Sequence, residues 1–307
     1  MIRYLRNHDV PAGRVEQIAP GVQRLQGDNP GPFTFTGTGV FILGEGESVM
    51  VIDPGPDSPG HRAALLLALE GRKVSHVLVT HHHLDHTAAV PWLCNTFGAR
   101  SYGFGRPGCS CEDTGERLEA GDDPGFCPDV ELDDGDVLDG DGFAVTALHT
   151  PGHASNHMCY ALNDFGGDAL FCGDHVMGWS TSVVSPPDGH MGDYIAQLER
   201  IRDMDFRVLH PTHGPSITEP RAFLQSYIAH RRVRDASVVR AVEAGVSEVR
   251  AMVARIYPDL SRKLIPAACH SVLAHLITLR EEGRVLGEGP DGLNCRYHPA
   301  REWMAAE

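Results

Sequence analysis

Residues 74–80, VSHVLVT, are a short run rich in β-branched side chains, and His81-His82-His83-Leu84-Asp85-His86 follows directly. Such a run suits a strand buried on both faces. In extended backbone, alternate side chains point the same way. His81 and His83 can therefore reach one ion together, while His82 points away. Asp85 and His86 come after the chain turns and can face a second ion. Imidazole and carboxylate suit Zn²⁺, Mn²⁺ or Fe²⁺. The plain alternative is a His-rich solvent loop. A strand before the segment and a helix-like stretch after it, HTAAVPWLCNTFG, argue against that.

The pattern of strand followed by sharp turn recurs. His153 stands in HTPGH, Asp174 in FCGDH and His213 in HPTHGP, each just after a predicted strand and beside Gly or Pro. One histidine alone is more often a satisfied structural residue. Several strand ends that each present a ligand type form a stronger joint signal, because sites are built on loops at strand ends. Hydrogen bonding within the structure is expected for the flanking His149, His157 and His175.

The 307 residues alternate strands and helices as far as about 218, with no repeated unit. That predicts a layered α/β domain over 1–218. Residues 105–136, rich in Gly, Asp, Cys and Pro, read as a loop-like insertion. From 219 to 307 the texture changes. Helical stretches near 219–244, 246–256 and 265–282 precede two short strands around a PDG turn, the pattern of a winged helix. The net charge of −15 is uneven: residues 221–307 carry 13 Lys+Arg against 10 Asp+Glu, so the rest holds the acidic excess. An acidic bulk disfavours polyanions. The Arg231-Arg232-Val233-Arg234 cluster reads as a solvated helix face. Eight cysteines in a chain of this length read as free thiols, including Cys109, Cys111 and Cys127 in the insertion. No stretch reaches the roughly 18 apolar residues of a membrane span. The first residues lack a signal-peptide core, so a cytoplasmic location is expected.

Taken together, these residues resemble the metallo-beta-lactamase superfamily. His81, His83, Asp85 and His86 match its H-x-H-x-D-H motif, and His153, Asp174 and His213 match its later ligand positions. The resemblance implies a four-layer αββα sandwich. It implies that His81, His83 and His153 bind one metal, that Asp85, His86 and His213 bind another, and that Asp174 bridges them. Asp53, in VIDPG, would support the His loop by hydrogen bonding. Asp174 stands where antibiotic-hydrolysing members commonly have another residue. The chain looks more like the glyoxalase II, ribonuclease and beta-lactamase-like protein 2 branches, and its C-terminal segment resembles the tail of the last.

The implied chemistry is hydrolysis by a hydroxide held between two Zn ions, with Fe or Mn as alternatives. Two metals about 3.5–4 Å apart bring the pKa of a shared water towards 7. Asp85 would orient that water or take its proton. A small acyl compound (thioester, ester or lactone) is the favoured substrate. Single-stranded RNA is the alternative partner, and an iron-dependent persulfide-type oxygenation a third reading. His190 and Tyr194, in PPDGHMGDYIAQL, are candidates for lining the substrate pocket. Neither a nucleophile elbow nor a dinucleotide or P-loop fingerprint is present.

Overall fold

The computed structural model describes residues 2–108, 121–163 and 168–300. Cys109 and Cys111 lie outside the described residues. A first sheet runs in the order β1 (Val15–Ala19), β2 (Val22–Gln26), β3 (Gly39–Leu43), β4 (Ser48–Ile52), β5 (Lys73–Leu78), β6 (Arg100–Gly103) and β7 (Val130–Glu131). A second contains β8 (Val137–Asp139), β9 (Ala144–His149), β10 (Met158–Leu162), β11 (Ala169–Gly173) and β12 (Val208–Pro211).

Period-two alternation explains why the sheets pack face to face. In β3, Phe41 and Leu43 join the core between the sheets, while Val40 and Ile42 face outward. In β10, Met158 and Tyr160 point inward and Cys159 and Ala161 outward. Both faces of these strands are covered, so every residue of β3, β10 and β11 is buried. Helices α1 (Pro59–Leu69) and α3 (Val90–Phe97) cover the outer face of the first sheet through Leu65, Leu69, Val90 and Leu93. The outer face of the second is covered by α4 (Met191–Asp203) and α5 (Pro220–Glu243), through Leu198, Ile201, Leu224 and Ile228. The result is the four-layer αββα sandwich.

A separate cluster holds the C-terminal unit together. It joins Val238 and Val242 of α5 to Met252 and Val253 of α6 (Val249–Ile256). It also takes in Val272 and Leu276 of α7 (Ile265–Glu281) and the hairpin β13 (Val285–Gly287) and β14 (Tyr297–Pro299). This is a winged-helix arrangement, and α5 belongs to both units. No helix among the described residues is long and apolar enough to cross a membrane. Cys94, Cys127, Cys159, Cys172 and Cys295 are free thiols.

Candidate metal centre

The parallel strands decide where the loops meet. Strands β4, β5 and β6 run parallel, as do β11 and β12. The ends of β4, β5, β11 and β12 therefore deliver Asp53, the His loop, Asp174 and His213 to one rim of the sandwich. His153 comes from the β9–β10 turn. After β5 the backbone stays extended through His83, then closes one helical turn, α2 (Leu84–Thr87). His81 and His83 thus share a side, and Asp85 and His86 project from the turn.

The donor atoms converge closely. His81 Nε2 lies 2.8 Å from His83 Nδ1 and 3.2 Å from His153 Nε2. His213 Nε2 lies 3.0 Å from Asp85 Oδ2 and 3.4 Å from Asp174 Oδ2. His86 Nε2 lies 3.5 Å from Asp85 Oδ2 and 3.7 Å from Asp174 Oδ1. Ligands about 2.0–2.1 Å from a tetrahedral ion stand about 3.3 Å from one another. Three groups of this cluster bring their donor atoms within 4.8 Å of one another: His81 with His83 and His153; His81 with His86 and Asp174; Asp85 with His86 and His213; a fourth such group, His82 with His83 and Asp122, lies beside them.

The other ring nitrogens are fixed from behind. His86 Nδ1 donates to Asp53 Oδ2 at 2.8 Å, and His153 Nδ1 to the Val183 carbonyl at 2.7 Å. His213 Nδ1 faces the Gly37 carbonyl at 3.3 Å and His83 Nε2 faces Asp122 Oδ1 at 3.3 Å. Thr80 Oγ1 donates to Asp53 and is 3.0 Å from His81 Nδ1. These partners select the tautomer whose lone pair points into the cluster. His86 Nε2 and Asp174 Oδ1 are buried without a hydrogen-bond partner. Orphaned buried polar atoms are rare, and here they sit where cations would satisfy them. The residues fit metal ions.

The local charges point the same way. Burial, then the neighbouring His86, His83 and His153, pushes His81 well below the ordinary imidazole value, so it is neutral as a ligand must be. Burial opposes charge on Asp85, but His86 and His213 outweigh it and hold the carboxyl far below its usual range. Burial opposes Asp174 likewise, and His213 and His86 draw it down to about 2. His213 and His86 move upward against burial, pulled by Asp174 and Asp85 respectively.

Asp53 is completely buried and adopts φ 49°. It accepts from Thr80 N, Thr80 Oγ1, His86 Nδ1 and Thr212 Oγ1, so it ties the β5 loop to the β12 loop. His82 points away from the cluster, 3.0 Å from Asn156 Oδ1. His149 bonds the Ser155 carbonyl and stacks on Phe104, and His157 Nδ1 is 2.9 Å from Thr150 Oγ1. His175 departs from expectation: both ring nitrogens are buried without a hydrogen-bond partner, and it packs against Tyr194 instead.

Two further expectations need correction. Tyr194 lines no open pocket. It is fully buried in the core between β-sheet and helices, and its hydroxyl donates to the His175 carbonyl. Arg231 is not on a solvated face: it is 4% exposed, and only Arg232 and Val233 of that cluster are exposed. His190 caps α4, with Nδ1 accepting from Asp193 N and Nε2 2.8 Å from Glu281 Oε2. Asp122, Thr38, whose hydroxyl is 3.5 Å from Asp85 Oδ2, and the Val183 carbonyl went unnoticed in the sequence. No local motif marks them.

An αββα sandwich with a His/Asp cluster at one rim defines a class of metal-site hydrolases. The chain belongs to the metallo-beta-lactamase superfamily: residues 34–213 match that family's profile, and residues 249–291 match the beta-lactamase associated winged helix domain. It is a hydrolase of that superfamily. It is 30% identical to the beta-lactamase-like protein 2 homolog of Drosophila melanogaster, over 90% of this chain and 92% of that one. It is 33% identical to the atrochrysone carboxyl ACP thioesterase dmxR1 of Cryptosporiopsis, over 79% of this chain and 69% of that protein. A beta-lactamase domain protein from Burkholderia ambifaria shares the fold, with a TM-score of 0.74, 22% identity and 97% of both chains covered.

Proposed function

We propose that this chain hydrolyses a small acyl thioester at a site holding two metal ions, Zn²⁺ by default. The observation that carries this is the paired trio geometry, with Nε2 of His86 in the second trio and Oδ1 of the neighbouring Asp174 buried without a hydrogen-bond partner. His81, His83 and His153 would hold one ion, Asp85, His86 and His213 the other, and Asp174 would reach both. The all-nitrogen-and-oxygen donor set also suits Fe²⁺ or Mn²⁺. When bound, the metals would supply an acidified water and a Lewis acid for the acyl oxygen.

The chain's own residues do the rest. Asp53, Val183 and Gly37 hold the imidazoles in register. Asp85, whose Oδ2 lies 3.0 Å from His213 Nε2 and 3.5 Å from His86 Nε2, would orient the attacking water or accept its proton. In thioester hydrolysis the water oxygen bonds the acyl carbon, the C–S bond breaks, and that proton ends on the thiolate. The relative from Cryptosporiopsis is named as an acyl-carrier thioesterase, which favours a thioester over a lactone. A single-iron oxygenase would need only one trio. The RNA reading loses its basic cluster, because Arg231 is buried and Arg232 pairs with Glu199.

The test is a panel of acyl thioesters, lactones and labelled single-stranded RNA, with metal-loaded protein and a His83→Ala blank. Thioester turnover absent from the blank is expected. RNA cleavage alone would overturn the substrate class, and full activity in the blank would overturn the site.

A further inference from the structure

Two buried arginines form no ion pair with a carboxylate among the described residues, Glu16 opposite Arg24 on β1 acting on it only through its field, and each grips the backbone behind a different metal trio. Arg24, on β2, is 3% exposed. Its Nη1 donates to the Gly214 carbonyl at 2.6 Å and its Nη2 to the Thr212 carbonyl at 3.3 Å, the two residues flanking His213. Its Nε has no partner, and the guanidinium lies 5.6 Å from the Phe41 ring centre. Arg231, on α5, is 4% exposed, with Nη2 donating to the Ser182 carbonyl and Nε unpartnered. Its guanidinium lies 5.0 Å from the Tyr194 ring centre. Ser182 N donates to Tyr227 Oη at 2.8 Å. The next residue, Val183, offers its carbonyl to His153 Nδ1.

A buried cation with no bonded counter-ion is costly, and an apolar side chain of similar volume usually serves packing as well or better. Packing therefore does not explain a guanidinium at either position. What a planar fork adds is fixed direction on carbonyl oxygens. Burial draws Arg24 only to about 10, so it stays charged at neutral pH. Arg24 holds the two residues flanking His213, and Arg231 holds Ser182, next to the Val183 carbonyl that orients His153, so each trio has one.

We infer that Arg24 and Arg231 are positioning residues that set metal affinity ion by ion. Arg24 fixes the His213 loop and so the second ion; Arg231 fixes the Ser182–Val183 segment, and so His153 and the first. This rests on the dinuclear reading above. It also gives the C-terminal unit a definite part in the centre, since α5 supplies Arg231.

The experiment is a Co²⁺ titration of apo full-length chains against a competing chelator. The number of paramagnetically shifted imidazole N–H signals identifies which ion is kept. Arg24→Met should fold, weaken one ion at least tenfold and keep the ion with three imidazoles. Arg231→Met should do the reverse and keep the ion with two. Arg24→Lys and Arg231→Lys should show the same order with smaller losses, and they carry the test if a Met variant fails to fold. Wild-type affinity for both ions in every variant, or equal loss of both ions in each, would overturn the inference. A wild-type chain that binds no Co²⁺ would instead sink the dinuclear reading on which it rests.

Discussion

Asp53 Oδ2 lies 2.8 Å from His86 Nδ1 and 3.1 Å from Thr212 Oγ1, so one carboxylate oxygen links the His loop to the loop that carries His213. Asp53→Asn keeps a residue that tolerates positive φ but removes the charge and one acceptor. Removing such a partner typically costs 10–100-fold in metal affinity or activity. Asp53→Asn should therefore lose about that factor in affinity for the ion held by His86, read by chelator competition, with a fall in melting temperature because buried donors lose their acceptor. Unchanged affinity would show that His86 needs no anchor.

Metal binding should release protons. In the metal-free protein His86 and His213 are shifted upward by Asp85, Asp53 and Asp174, so they hold protons to higher pH than ordinary imidazoles. A ligand must be neutral to bind. Affinity should rise with pH through the neutral range, and calorimetry in buffers of different ionisation enthalpy should show net proton release. Proton uptake would contradict the assignment.

His210 gives a separate pH dependence of stability. Burial draws it down to about 4, while the unfolded chain holds it near 6.5. Between these values the unfolded state binds the extra proton, so this contribution is full above about 6.5 and is lost as pH falls towards 4. The shift corresponds to about 3 kcal/mol at most. His210→Phe should flatten the urea-unfolding stability across that window. An unchanged slope would show that His210 is not its source.

Gly152 is set by backbone contact. Its φ is +140°, and a Cβ there would stand 2.4 Å from Tyr194 Cα. Gly152→Ala should cost roughly 2–4 kcal/mol by strain and overpacking, measured by urea unfolding. It should also weaken metal binding, because the neighbouring residue is His153.

Much of the fold and the site was legible in the sequence for local reasons. The His81–His86 spacing implies an extended pair followed by a turn, and α2 is that turn. The strand-then-turn pattern put Asp174 and His213 just after β11 and β12, and the helical stretches after 219 became α5, α6 and α7. What escaped depends on distance along the chain. Arg24 acts on a carbonyl 190 residues away, and Asp122 reaches His83 from within the insertion. Arg231 was misread because its neighbours are charged. A stripe of Leu224, Tyr227, Ile228 and Arg231, buried at three- and four-residue spacing, does carry the inward direction. Tyr194 was misread as pocket lining because its segment lies between two ligand strands; the α4 face that buries it also contains Met191 and Leu198.

The most direct measurement is metal per chain during reconstitution, by elemental analysis, followed alongside thioester hydrolysis. Two equivalents are expected, with activity maximal only at the second and Asp174→Ala failing to retain both. Full activity with a single equivalent, or with none, would contradict the dinuclear account.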